Sequence, residues 1–381
     1  MNIMMKYFPS NVSRVFFIAY CLVVLTGTPA QGDLPYILEA PSSASMMSSM
    51  KIAGPLFFCG EPVPLDDPDV RERLERELLV MTWNRPQVIL WIKRSGRYMP
   101  HIEEVLRQNE MPGDLKYLAV IESSLTSQVT SSKGARGYWQ FMESTGKRYG
   151  LSVDANVDER RNFYASTKAA LSYLKDLNAM LGSWTLAAAA YNMGEEGLKA
   201  EMVIQKTKNY YGLYLPMETQ RYVFRALSVK MILSNPEKYG FRLTKEDLYT
   251  QVPFTRMELT CEQETPLSLV AQAAGTSFKV IKELNPEVKG HYLAKGRHIL
   301  SIPENAAEGF RARYGERLKE WKAAYKESIY VVKKGETLSS IAAKFSVPLP
   351  ALLVWNHMSS AAKIKPGDRL VIFPGEGKSG R

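Results

Sequence analysis

The stretch that decides the fold is DLKYLAVIESSLTSQVTSSKGARGYWQFM, residues 114–142. Asp114 follows Pro112-Gly113 and is predicted to cap a helix; Leu115, Leu118 and Ala119 then lie 7, 4 and 3 residues before Glu122, so the acid shares their apolar face. A carboxyl group held among hydrocarbon loses hydration in its charged form, and its pKa rises toward the value a general acid needs. A Ser/Thr-rich loop follows, then Gly134, Ala135 and Gly137, which let the backbone turn tightly and approach a ligand. Tyr138 and Trp139 are predicted to offer ring faces to pyranoses, and Gln140 a donor and an acceptor for hydroxyl or acetamido groups. An isolated glutamate at a helix end most often faces water or pairs with a lysine. This downstream cluster shifts the reading toward acid catalysis on a sugar polymer.

Outward from that stretch the helical texture continues. Asp67-Pro68-Asp69 makes a helix start, with Val70, Leu74, Glu77, Leu78 and Met81 at helical spacing. Further helices are predicted near 84–108, 114–123, 139–149, 164–181, 184–192 and 217–234, and strand-like alternation is scarce, so residues 67–250 read as one all-α domain. Past Thr250 an internal repeat emerges at an offset of 71 residues: Leu267, Ser268, Ala271, Asn285, Gly296 and Pro303 superimpose on Leu338, Ser339, Ala342, Asn356, Gly367 and Pro374. Each copy reads strand, helix, helix, strand, a small α+β unit. Between the copies, residues 305–327 place Phe310, Tyr314, Leu318, Trp321 and Tyr325 at helical spacing among charges, and read as a helical spacer.

These motifs carry a resemblance. Glu122-Ser123, Ser131, Gly134-Ala135, Gly137, Gln140 and Met142, followed by Ala190-Tyr191-Asn192-Met193-Gly194, resemble the soluble lytic transglycosylase family, which is goose-lysozyme-like. The wider text is similar to the membrane-bound lytic murein transglycosylase D branch, through GARGYWQFMESTGKRYGL, VDERRN, STKAALSYL, AAAAYNMGEEG and LPMETQRYV. The second repeat copy, from Tyr330 to Pro374, resembles the LysM module, associated with N-acetylglucosamine polymers. The first copy shows Glu264-Thr265-Pro266 where the second has Gly335-Glu336-Thr337, which puts its sugar binding in doubt.

The resemblance implies peptidoglycan glycan strands as substrate, with Glu122 as the single catalytic acid and base at the β-1,4 bond between N-acetylmuramic acid and N-acetylglucosamine, and 1,6-anhydro ends as product. It implies substrate contacts for Ser123, Ser131, Gln140, Met142, Tyr191, Asn192 and Tyr222, and LysM glycan contacts for Gly335, Glu336, Thr337 and Asn356. For Tyr222, core packing weighs as heavily as function. Two departures stand out: Tyr138 where the branch usually has Leu, and Asn162 where an Asp commonly follows the double Arg. Two other readings stay open. A hydrolytic muramidase would need a second carboxylate, for which Asp154, Asp158, Glu143 and Glu218 are candidates, and a non-catalytic LysM cell-wall binder would need none.

The rest of the chain sets bounds. At 381 residues with 45% apolar and 23% charged residues, two or three globular domains are expected. Residues 1–30 carry Lys6, Arg14, the apolar run Val15 to Leu25 and Thr28-Pro29-Ala30, and read as a secretory signal peptide; the apolar run is shorter than the roughly 20 residues of a spanning helix. Bulky Tyr20 before Cys21 argues against lipidation. Export to the periplasm or outer-membrane face of a Gram-negative envelope follows. Residues 31–66, rich in Pro, Ser, Gly and Met, read as an extended leader.

The predicted organisation is then 67–250 lysozyme-like, 258–304 divergent LysM-like, 305–327 spacer, 328–375 LysM and 376–381 tail. Removing Lys6 and Arg14 lowers the net charge from +10 to +8, which favours polyanions such as cell-wall polymers and a peripheral membrane association. Export and the lack of a Lys/Arg run interleaved with aromatics argue against nucleic acid. No CxxC or HExxH motif occurs and only four His are present, so no metal and no cofactor are expected. Cys59 and Cys261 allow one bridge at most in the mature chain, and a monomer is expected.

Overall fold

The computed structural model describes residues 50–373; the expected signal peptide, most of the expected leader and the expected tail lie outside them. Helix α1 (Pro68–Trp83) starts where Asp67 accepts from the Asp69 amide and Pro68 presets the first turn, and it buries Val70, Leu74, Leu78 and Met81. Helix α2 (Arg85–Gln108) runs over one face of the domain. The short α3 (Lys116–Ser123) carries Glu122 near its end, and α4 is Glu143–Arg148. Helices α5 (Phe163–Leu181), α6 (Trp184–Met193), α7 (Glu195–Ile204) and α8 (Met217–Ser234) complete the bundle. In α6 the run Ala187 to Ala190 is fully buried, which lets neighbouring helices approach closely. Helix α8 is the hub, packing on α1, α3 and α6, and buries Tyr222, Val223, Phe224, Ala226, Leu227, Val229 and Ile232.

Two expectations need correction here. Asp114 does not cap α3: its carboxylate accepts from the Cys59 amide at 2.8 Å and pairs with Lys230 at 2.8 Å. Residues 50–66 are part of the helical domain instead of a leader, because β1 (Phe57–Phe58) and β2 (Glu61–Pro62) form a hairpin that inserts Phe58, Val63 and Leu65 into its core. From that hairpin Glu61 reaches the start of α6 and accepts from the amides of Trp184 and Thr185 and from the hydroxyls of Ser183 and Thr185, satisfying donors a helix N-terminus leaves free. Helix α7 lies outside the stretches predicted to be helical; of its ten residues only Leu198 is buried.

The two repeat copies fold alike. The first pairs β3 (Phe254–Cys261) with β6 (Gly296–Pro303) antiparallel around α9 (Leu267–Ala273) and α10 (Phe278–Leu284), with a minor pair β4 (Thr265–Pro266) and β5 (Tyr292–Leu293). The second pairs β7 (Ile329–Val331) with β8 (Arg369–Val371) around α12 (Leu338–Lys344) and α13 (Leu349–Trp355). The helix between them, α11 (Phe310–Glu327), is not a spacer. Phe310 and Tyr314 are buried in the first copy's core, Leu318 and Trp321 pack against it, and Arg313 donates to the Ala273 carbonyl at 2.7 Å. Its apolar stripe seals a module too small to bury enough surface alone. Cys59 and Cys261 sit in different cores and are unpaired.

Candidate active site

Glu122 sits on the last turn of α3, half-buried, and Tyr222 of α8 donates its phenolic proton to Glu122 Oε1. Oε2 has no protein partner among the described residues and is the oxygen left for a substrate. Burial pushes the Glu122 carboxyl up to about 7; the Tyr222 hydrogen bond and the Arg225 charge pull it down by less, and nearby Glu218 pushes it further up. Arg225 is held in place by donating to the Ile121 carbonyl at 3.0 Å. Tyr222 and Tyr191 both have their phenols driven upward, first by burial and then by the charge of Glu122, which locates both rings at the acid. Two neutral phenols, a guanidinium and one acid near neutrality make a group that exchanges a proton readily near pH 7.

The loop after α3 is built around unusual backbone. Ser124, Leu125 and Gln140 adopt positive φ, which side-chain-bearing residues rarely accept. Gly137 has φ +80°, and a Cβ there would stand 1.7 Å from the Arg160 carbonyl oxygen, so only glycine fits. This packing turns Tyr138 and Trp139 inward, correcting their expected exposure. Trp139 is fully buried and donates to Thr167 Oγ1 at 3.0 Å, while the Tyr138 hydroxyl meets that of Tyr98 at 3.2 Å.

The other expected contacts divide. Ser123 is buried and donates to the Tyr138 carbonyl at 2.7 Å, so it ties the loop to α3. Ser131 accepts from the Ala135 amide at 3.0 Å within the loop. Gln140 donates to the carbonyls of Gly137 at 2.8 Å and Val129 at 3.2 Å, leaving its amide oxygen free. Met142 is exposed at the start of α4. Tyr191 donates to the Trp139 carbonyl at 2.8 Å, and Asn192 accepts from Thr219 Oγ1 at 2.8 Å, keeping its amide hydrogens available.

Of the four acids considered as a second carboxylate, three are otherwise engaged. Asp158 is buried between Arg160 (2.7 and 2.8 Å) and Arg136 (3.2 Å), Asp154 accepts from the amides of Asn156 and Val157, and Glu143 pairs with Lys147. Glu218 alone of the four acts on Glu122. Arg160 also donates to the carbonyls of Gly134 and Phe141, so the Asp158 cluster grips both ends of the glycine loop.

The first repeat module is fastened to the same place. The Glu287 carbonyl accepts from the Asp158 amide at 2.8 Å, the Lys289 amide donates to the Asn156 carbonyl at 2.8 Å, and Asn162 donates to Glu287 Oε1 at 2.9 Å. Asn162 also caps α5 through the Ala165 amide. An Asp at 162 could cap equally well but would face Glu287 with a second carboxyl, which accounts for the amide at this position.

In the second module Gly335 and Thr337 are exposed and Glu336 and Asn356 half-buried, and each of these residues also has a part in the module's own structure. The Glu336 carboxylate accepts from the Lys333 amide and the Tyr330 hydroxyl, pairs with Lys344, and is held at about 2 chiefly by the first two. Thr337 caps α12, and Gly335 supplies a positive φ. Asn356 commits its whole amide, donating to the carbonyls of Leu352 and Val371 and accepting from the Val371 amide. Asn285 makes the same three bonds with Ile281 and Ser301 in the first module. The repeated Asn is therefore a lock between helix and strand.

Residues 99–213 match the Transglycosylase SLT domain family, 330–373 the LysM domain, and 258–317 the LysM-like domain of lytic transglycosylase MltD. The chain is 33% identical over 335 residues to the membrane-bound lytic murein transglycosylase D of Escherichia coli K12, covering 84% of this chain and 72% of that one, and equally to the protein of the same name from E. coli O6:H1. Among solved structures, the 70 kDa soluble lytic transglycosylase Slt70 of E. coli aligns with a TM-score of 0.32 and 19% identity over 40% of this chain and 27% of that one.

Proposed function

Since the chain belongs to the membrane-bound lytic murein transglycosylase D family and is a peptidoglycan lytic transglycosylase with LysM modules, we propose that Glu122 is its single acid and base. Protonated Oε2 gives its proton to the oxygen of the β-1,4 bond as the bond to muramoyl C1 breaks. The neighbouring acetamido group supports the positive charge at C1. The carboxylate then takes the proton of the muramoyl C6 hydroxyl as its oxygen bonds to C1, closing the 1,6-anhydro ring. The acid is regenerated and no water is consumed, so no second carboxylate is required, unlike a two-carboxylate glycosidase. The observation that carries this reading is a carboxyl raised to about 7 with Tyr222 orienting one oxygen. Gln140, Asn192 and Met142 line the strand's path, and Tyr191 and Tyr222 act as positioning residues around the acid. Digestion of purified sacculi should release 1,6-anhydromuropeptides; reducing muramic acid ends would place a water, and Glu218 as its base, in the mechanism.

Loss of the proton from a group with a pKa of about 7 sets a further expectation. The competent form is the acid, so kcat/KM should fall above about pH 7, by roughly tenfold per pH unit well past it. A rate flat from pH 6 to 9 would sink the assignment.

The second module binds peptidoglycan and raises local substrate concentration without adding chemistry. The named relative is membrane-bound, and we place this chain in the envelope likewise, exported through residues 1–30 and acting as a monomer. Among the described residues no single helix is long and apolar enough to cross a membrane.

A further inference from the structure

A cavity of about 530 Å³ opens at the seam between the helical domain and the first repeat module. That volume suits a small ligand or a short peptide. Three walls enclose it. His101 stands on α2, while Lys168 and Lys175 share one face of α5, about 10 Å apart along its axis. Arg256 and Ser301, directly opposite each other on β3 and β6, come from one face of the module's sheet.

The cations of this cavity lack partners. Arg256, Lys168 and Lys175 form no ion pair among the described residues, and the two carboxylates on the wall are engaged elsewhere: Glu159 accepts from the Ser152 amide at 2.7 Å and Glu287 from Asn162 at 2.9 Å. The Arg256 guanidinium lies 5.1 Å from the centre of the Tyr164 ring. Burial, and then the Arg256 charge, hold the His101 imidazole below its usual value, which sets the guanidinium beside that ring too. Glu287 is only 7% exposed; burial pushes its carboxyl up, and its Oε2 meets no donor among the described residues. A buried acceptor without a donor, beside cations without anions, calls for a ligand that brings both N–H groups and carboxylates.

We propose that this cavity is an exosite for the peptide stems of peptidoglycan, whose free carboxylates meet Arg256 and Lys168 and whose amide N–H groups face Glu287. The proposal rests on peptidoglycan being the substrate and needs no assignment of the catalytic acid, since none of the residues placed around Glu122 lines the cavity. Bare glycan is a poorer match, because hydroxyl and acetamido groups bring no charge to offset three cations. A phospholipid is poorer as well: Ile299 is the one large apolar side chain of the lining that is well exposed, too little to receive acyl chains.

Calorimetric titration of the full chain with uncross-linked stem peptides, freed from sacculi by an amidase, tests it. Arg256→Gln and Lys168→Gln should each weaken binding about tenfold or more, the size of one charge-assisted contact, and Arg256→Lys should keep most of it. Neither side chain makes a hydrogen bond among the described residues, so the bonds that seat the module stay in place. Lys279→Gln, which removes an exposed cation elsewhere on the module, is the control and should bind like the parent. In digestion, Arg256→Gln should raise KM on stem-bearing strands and leave it unchanged on strands stripped of stems, with kcat kept on both. Absence of binding by the parent overturns the exosite, as does equal weakening in the control. An equal rise in KM on stripped strands puts glycan in the cavity and overturns it too. If the parent ignores the stem peptide but binds inorganic phosphate or phosphatidylglycerol vesicles through Arg256, the cations serve phosphate and the exosite is wrong. An active Glu122→Gln enzyme defeats the catalytic assignment without touching this titration, so the two failures are separable.

Discussion

Glu122→Gln should lower kcat for anhydro-product release by about 10³-fold or more while leaving binding to sacculi close to that of the parent. Gln keeps the shape of the side chain, and its amide oxygen can still accept from Tyr222. It can neither give a proton to the leaving oxygen nor take one from the C6 hydroxyl, so both halves of the reaction fail together. Product analysis on sacculi measures the loss, and pull-down on the same sacculi measures the binding. Retained activity would falsify the single-acid mechanism.

The same substitution should stabilise the protein at alkaline pH. The folded-state pKa is raised, so folding favours the protonated acid, and ionisation above the unfolded value costs folding free energy. That cost is absent below about pH 4, grows between there and about 7, and is constant above. Replacing the acid by an amide removes it. Allowing for solvent at its half-buried edge, the gain at pH 8 is about 1–2 kcal/mol, and near zero at pH 4. Thermal unfolding at the two pH values distinguishes this from a general packing effect, which would appear at both.

The position of Glu122 was legible because a helix of this kind announces its apolar face by spacing, and Leu115, Leu118 and Ala119 mark it. The repeat was legible because Asn285 and Asn356 do identical work against helix and strand, so both copies keep the residue. The spacing said nothing about which rings point inward. Tyr138 and Trp139 look like a sugar platform only until Gly137 packs on the Arg160 carbonyl and turns them into the core. Contacts between distant segments were equally hidden. Nothing near Glu61 announces that it satisfies the start of α6 more than 120 residues later, and nothing near Asn162 announces Glu287. The apolar stripe of α11 was visible, but its partner, the core of the first module, was not.

Asp158→Ala should destabilise the helical domain by about 3–5 kcal/mol, the cost of stranding buried positive charge. Asp158 is fully buried and Arg160 nearly so; both carboxylate oxygens are used by Arg160, and Arg136 shares one of them. Burial alone would raise this carboxyl, but the hydrogen bonds and charge of Arg160, then those of Arg136, outweigh it and hold the group below its usual value. Its contribution is therefore present above the unfolded pKa, near 4, and is lost as acid titrates the folded form, so the gap between parent and variant should narrow below about pH 4. Urea denaturation at pH 7 and at pH 3.5 reads both effects. Activity should fall as well, because Arg160, which the carboxylate holds, anchors the carbonyls of Gly134 and Phe141 on either side of Gln140. A loss under about 1 kcal/mol at pH 7 would mean that water replaces the carboxylate, and that the glycine loop keeps its shape without this cluster.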